Sequence, residues 1–470
     1  MILNTTPNTI LLSDIEKYIP FTEDKEQEFS VDDAKKSGAF RKLIMLGDVK
    51  ITHHDNSLFE RNLALLGDNT KSPLKNSNTT YVKKVEVENI AALPELEVKI
   101  RGHFYEAGGY AKVNRNLVCG LNNLGIKVAI ESTSQMASDL NETEVRKLSK
   151  LTKSVSRNAI TIDSMIPTFS TLSGGRYRIL YTTVEASSVP QQFLDVANTY
   201  NEVWVTSNFC KEVLEKAGLQ KPIHVVQNTF DLNVYNEDAE PYVFNPPLKP
   251  FVFLSVFGWS YRKGYDVLLK AYLEEFKKDE PVSLLISSRF ACSTDKSDIV
   301  KTTVRKFIDQ YGGSKNTPHI SLTHTVVPEA KMANFYKAAN AFVLFSRGEG
   351  FSMTAAESSL CGLPVISTNY SGHTMFLNKD NSTLIDIDSL SPVESGMMHV
   401  HYWDGQLFPR LTSPKVITDA RTAMRDVFEN YKKAKKKNKK LQKFVKENYG
   451  IEKISLDVAN RLNEIWRKLK

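Results

Sequence analysis

Glu349 lies inside a Gly-Glu-Gly turn and Glu357 follows eight residues later, within residues 345–369 (FSRGEGFSMTAAESSLCGLPVISTN). The segment reads as strand end, loop, small-residue helix, Gly-Leu-Pro stop and second strand. The amides of Gly350, Phe351 and Ser352 at the start of that helix would be free, and free amides there favour phosphate. A carboxylate on each side accepts hydroxyl groups. The pattern suits a diphosphate flanked by two sets of hydroxyls, those of a ribose and those of a sugar. Two glutamates at this spacing alone would more often be surface acids; the composite order carries the signal.

The cations for such an anion stand 87 residues before Glu349, where Arg262 and Lys263 occupy the loop GWSYRKG. A forked guanidinium and a compact ammonium suit a departing diphosphate. An Arg-Lys-Gly triplet by itself is usually a surface pair. Here it follows the apolar run FVFLSVF of residues 251–257, which reads as a strand covered on both faces. A helix, YDVLLKAYLEEFKK, comes next, and further strands are expected at residues 283–287, 320–323, 341–345 and 364–367.

A similar alternation precedes it. Residues 96–100 (LEVKI) read as a strand, and the loop GHFYEAGGYAK carries the paired glycines Gly108 and Gly109. A helix follows, with Val113, Leu117, Leu121 and Leu124 on one face and Gly125 as its stop. Strands are then expected at 127–130, 177–181, 202–206 and 223–226, before a proline-rich linker, PYVFNPPLKP, at 241–250. This predicts an α/β chain of two doubly wound, Rossmann-like domains. Expected boundaries are an extension at 1–95, an N-terminal domain at 96–247 and a C-terminal domain at 248–450. A last helix at 451–470 is expected to pack back on the N-terminal domain. Within the extension, short strands are expected at 42–45 and 81–87.

With these residues in view, the signature resembles that of the retaining glycosyltransferases of the GT-B fold, the group containing glycosyltransferase family 4. That group reads EGFG, four residues, E, then G-x-P-V-I; Ser352 and Met353 replace the usual glycine and its neighbour. The resemblance implies that Glu349 holds the transferred sugar, Glu357 the ribose, and Arg262 with Lys263 the diphosphate. Many relatives carry an arginine directly after the first glycine of that loop, where this chain has Trp259. Residues 323–346 resemble the stretch cradling the base, with the backbone near Val326 and Val327 at the base edge. Gly108 and Gly109 match paired glycines that let the backbone approach the donor phosphate. Glu185, in the stretch YTTVEASSVP, is the candidate for a catalytic or acceptor-side role, with a helix-capping carboxylate as the alternative. His103 is a candidate acceptor or phosphate contact, and His373 is a candidate to face the crevice. The resemblance covers residues 96–468 and implies a nucleotide-diphosphate sugar as co-substrate, UDP or GDP, with no metal and no bound cofactor. The alternatives are a catalytically silent scaffold of the same fold and a nucleotide-sugar epimerase.

The bulk composition agrees with a globular protein of more than one domain: 470 residues, 41% hydrophobic and 24% charged. The net charge of +7 is more than matched by the nine lysines from Lys432 to Lys446, where no acid intervenes. Such a block is most often a solvated helix face, with peripheral contact to an anionic membrane as the functional alternative and nucleic acid disfavoured. The four cysteines, Cys119, Cys210, Cys292 and Cys361, form no CxxC pair and read as reduced, mostly buried thiols. No signal peptide and no membrane span is read, and a cytoplasmic protein is expected.

Overall fold

The structure, a computed structural model, describes four short strands before residue 52 and residues 96–469 apart from 134–139, 152–153, 168–173, 290–296, 325–326 and 394–402. Met1–Val87 forms one unit and Glu88–Lys470 another. In the first unit Ile2–Asn4 pairs antiparallel with Val49–Ile51, and Ile10–Leu12 with Lys17–Ile19. The strands expected at 42–45 and 81–87 lie outside the described residues.

The second unit holds two six-stranded parallel sheets. The first contains β1 (Glu97–Gly102), β2 (Lys127–Ser132), β3 (Ile160–Ser164), β4 (Tyr177–Thr182), β5 (Glu202–Val205) and β6 (Ile223–Val225), in the order β6-β5-β4-β3-β1-β2. The second contains β7 (Phe251–Gly258), β8 (Val282–Arg289), β9 (His319–Thr323), β10 (Ala341–Leu344), β11 (Val365–Thr368) and β12 (Thr383–Ile385), in the order β9-β8-β7-β10-β11-β12. Numbered within its domain this is 3-2-1-4-5-6, the doubly wound order whose switch point lies between the first and fourth strands. Chain leaves β7 and β10 in opposite lateral directions, and the loops at their C-terminal ends leave a crevice there. Arg262 and Lys263 stand in one of those loops and Glu349 in the other.

Local chemistry explains the elements. β7 is buried along most of its length, as a central parallel strand must be. Leaving it, the chain makes one 3₁₀ turn (Tyr261–Lys263), then reverses at Gly264, φ 68°, into helix α5 (Tyr265–Glu275). A side chain at Gly264 would sit 1.8 Å from the Phe345 carbonyl oxygen, so only glycine lets these two loops touch. β3 reads Ile-Thr-Ile-Asp-Ser, with Thr161 between the isoleucines and Asp163 and Ser164 after them, too short an apolar run to stand out as a strand. Burial of Asp163 against the Tyr200 hydroxyl, 2.8 Å away, is a tertiary contact.

Three helices end the chain. α9 (Pro414–Glu429) packs on α5, and α10 (Tyr431–Asn448) packs on the signature helix α8 (Met353–Leu360). α11 (Ile451–Leu469) crosses to the first domain and packs on α1 (Gly109–Asn123). Gly120 is the contact point: a Cβ there would lie 1.8 Å from Ser455 Oγ. Arg461 of α11 also pairs with Glu202, a wholly buried carboxylate that accepts from Trp204 Nε1 at 2.7 Å. The lysine-rich α10 is amphipathic. Lys435 and Lys437 turn inward to the carbonyls of Gly362 and Ser382, at 2.7 and 3.2 Å, and Asn438 donates to Ser359 O. Lys435 and Asn438 thereby satisfy carbonyls at and just past the end of α8, and Lys437 one just before β12. The remaining seven lysines face outward.

Gly120→Ala tests this seam by its sign. In an unpacked helix interior the change stabilises by roughly 0.5–1 kcal/mol. Against Ser455 it should destabilise by about 1–3 kcal/mol, as overpacking does, measured by urea denaturation.

Candidate functional site

Glu349, Lys263, Arg262 and Glu185 form one cluster. Lys263 Nζ donates to both oxygens of Glu349, at 2.6 and 2.9 Å. Arg262 donates to the Gly348 carbonyl at 2.5 Å and stands 3.6 Å from Glu349 Oε1. On its other side it lies 3.5 Å from Glu185 Oε1, which comes from the first domain, in the loop after β4. The four side chains are at most 16% exposed. The cluster therefore joins a loop of the N-terminal domain to both switch-point loops of the C-terminal one.

Burial alone would push the Glu349 carboxyl up; Lys263 and then Arg262 overcome it and hold it down to about 2. For Glu185 the balance is opposite. Burial is the larger effect, Arg262 and Lys263 offset it only in part, and its carboxyl is raised. Burial and then Arg262 lower the Lys263 ammonium, against the pull of Glu349. The same surroundings thus move the two carboxyls in opposite directions, Glu349 down and Glu185 up.

Residues outside the sequence reading set this geometry. Arg347, 1% exposed, forks onto Asp266 at 2.8 and 2.7 Å and donates to the Tyr261 carbonyl at 2.7 Å. Its guanidinium lies 3.6 Å from the centre of the Tyr261 ring, and its amide donates to the Arg262 carbonyl at 2.7 Å. Arg347 thereby clamps the 3₁₀ turn that carries both cations. The signal was available: an arginine two residues before Glu349, at the exit of an apolar strand. Ser371, at φ 72°, accepts from the Glu349 amide at 2.9 Å, and the Gly372 amide donates to the Glu349 carbonyl. Strain of this kind costs roughly 1–3 kcal/mol and collects at functional sites. Ser352, at φ 74°, is likewise left-handed, which explains why the resembling sequences place glycine there.

The other expected residues divide. Glu357 is 4% exposed on α8; its carboxylate accepts from Tyr336 OH at 2.8 Å and from Lys112 Nζ at 2.5 Å. Lys112 and Arg115 also reach Glu329, each at 3.2 Å. The Phe351 side chain is buried among Phe230, Phe376 and Tyr449, a domain-joining aromatic cluster. The Gly350 carbonyl accepts from Thr206 of the first domain at 3.0 Å. Gly108 and Gly109 stand at the start of α1, where an added Cβ would meet nothing within 4 Å. Val327 is half-buried, and Val326 lies outside the described residues. Trp259 stacks on Tyr265, 4.2 Å between ring centres, so no cation takes that position.

One expectation is corrected. His373 is fully buried, bonded through Nε2 to the Thr368 carbonyl at 2.6 Å, because the 3₁₀ turn after β11 folds it under the sheet end. Of the thiols expected to be mostly buried, Cys210 and Cys361 are buried and Cys119 is exposed, while Cys292 lies outside the described residues. His103 is exposed and bonded to Glu106 at 3.1 Å. Among the described residues no group of three His, Cys, Asp or Glu is placed to hold a metal ion, and no helix is long and apolar enough to cross a membrane.

Residues 249–393 match a family model described as glycosyl transferases group 1. A 66-residue segment is 35% identical to the D-inositol 3-phosphate glycosyltransferase of Xylanimonas cellulosilytica, covering 14% of this chain and 16% of that protein. Sucrose-phosphate synthase of Thermosynechococcus elongatus shares the fold, with a TM-score of 0.58 at 14% identity, over 79% of this chain and all of that one. Anabaena HepE, solved with UDP-glucose, does so with a TM-score of 0.54 at 13% identity, over 78% of this chain and 100% of its own. The fold is GT-B: two Rossmann-like domains facing one crevice.

Glu185→Gln should reveal the strained carboxyl. A raised folded-state pKa means folding favours the protonated acid, so stability falls as pH rises from the unfolded value near 4.5. The variant should be more stable than wild type at pH 8, and the gap should vanish at pH 4, read by thermal melts across pH.

Proposed function

We propose, from the match of residues 249–393 to the glycosyl transferases group 1 family and from the site geometry, that the protein is a retaining glycosyltransferase using a nucleotide-diphosphate sugar. The observation that carries the proposal is the convergence of Arg262, Lys263 and an ionised Glu349 at the switch point of the C-terminal sheet. Cations held there stabilise charge that develops on a leaving diphosphate. Glu349 accepts hydroxyls of the transferred sugar, and Glu357 the ribose diol. UDP is the favoured nucleotide because HepE was solved with UDP-glucose; GDP is the alternative.

In this reading the anomeric carbon–phosphate oxygen bond breaks as the acceptor oxygen bonds to the same face. The acceptor proton passes to the departing phosphate oxygen. Glu185 faces Arg262 from the N-terminal domain and orients the acceptor hydroxyl. Closure of the two domains excludes water. The acceptor is a glycan, lipid, protein or small molecule. Outward-facing lysines of α10, with Phe444 exposed among them, suit peripheral contact with an anionic membrane.

The test is a thermal-shift panel of UDP-, GDP-, ADP- and dTDP-sugars, with transfer assays and sedimentation with anionic vesicles. One nucleotide should stabilise the wild type by a few degrees, and Glu357→Ala should abolish that shift. Arg262→Ala should lower kcat by about 10²-fold or more, the usual loss for a preorganised charge contact. A folded protein that no nucleotide stabilises would return the silent scaffold as the better reading.

A further inference from the structure

Lys112 belongs to the N-terminal domain, in the first turn of α1, yet its ammonium reaches two carboxylates of the C-terminal domain. Nζ lies 2.5 Å from Glu357 Oε1 and 3.2 Å from Glu329 Oε1, and it donates to Tyr235 OH. The other Glu357 oxygen accepts from Tyr336 OH at 2.8 Å. A vicinal diol brings two O–H donors and needs this carboxylate open to it.

Which partner yields is decided by packing. Tyr336 sits on α7 (Glu329–Lys337) with no exposed surface, in the same domain as Glu357, and cannot leave without unpacking the core. Lys112 arrives from the opposite wall of the crevice, and it has a second carboxylate in reach. Glu329 is held ionised by Lys112 and Arg115 against its burial. A lysine that gives up Glu357 thus stays paired with Glu329, and only one contact is lost. That contact bridges the domains, so ligand and closure are linked through it.

We propose that Lys112 competes with the donor's ribose diol for Glu357, and so sets donor affinity from the N-terminal domain. The inference rests on the reading of Glu357 as the ribose carboxylate. Lys112 is a specificity-determining residue in this account: it admits ligands whose hydroxyls can replace an ammonium, and it returns to Glu357 when they leave.

The test titrates UDP and GDP calorimetrically into wild type, Lys112→Met, Lys112→Arg and Glu357→Ala, each checked for folding by its melt. Lys112→Met removes the competitor at similar length and should bind the nucleotide about fivefold tighter or more, the low end of coupling between sites. Its small-angle scattering should show expansion before nucleotide is added and compaction after. Lys112→Arg, whose fork grips a carboxylate harder, should bind more weakly; it decides the matter if the methionine variant does not fold. Equal or weaker binding by Lys112→Met, or equal or tighter binding by Lys112→Arg, overturns the competition. Glu357→Ala separates the two readings. Wild-type affinity in that variant sinks the ribose assignment itself, whereas lost affinity there with no gain in Lys112→Met sinks the competition alone.

Discussion

A carboxylate buried between loops must be met by a cation, and the contact of Lys263 with Glu349 is the one around which the C-terminal half is arranged. Each residue belongs to a different loop, leaving a different strand, and the two strands are neighbours only at the switch point of the sheet. Breaking such a pair leaves an uncompensated buried charge, which typically costs about 3–5 kcal/mol. The surroundings are built to keep it. Gly264 lets the loops touch, Arg347 clamps the turn carrying Lys263, and strained Ser371 holds the Glu349 amide.

The same economy of charge extends across the crevice. Arg262 serves Glu185 of one domain and Glu349 of the other; Lys112 and Arg115 reach from α1 to Glu329. The two domains are thus joined by ion pairs as well as by buried apolar contacts, among them the aromatic cluster of Phe230, Phe351, Phe376 and Tyr449 and the α11 crossing at Gly120. Ionic seams are well suited to a ligand that itself carries charge and hydroxyls, because it can exchange partners with them rather than force them apart.

Much of this was legible in the residues. Apolar strands such as β7 and β10 announce themselves by burial on both faces, and the acids and cations follow them at loop positions that the doubly wound order makes adjacent. β3 was not legible, because Thr161 and Asp163 break its apolar run and only tertiary partners such as Tyr200 explain their burial. Nor were Ser371 and Lys112, whose roles depend on distances across more than one loop or domain. His373 misled for the same reason: a histidine beyond a strand end reads as facing the crevice, and only the turn geometry shows it folded beneath. The short hairpin of Leu390–Pro392 with Leu407–Pro409 also escaped, being three residues a side.

The most direct test of the central claim is a crystal structure of the full chain with UDP bound. The account predicts the diphosphate within hydrogen-bonding distance of Arg262 and Lys263, at the ends of β7 and β10, with the ribose hydroxyls on Glu357. A nucleotide seated elsewhere, with the Lys263–Glu349 pair and Glu357 untouched, would contradict it.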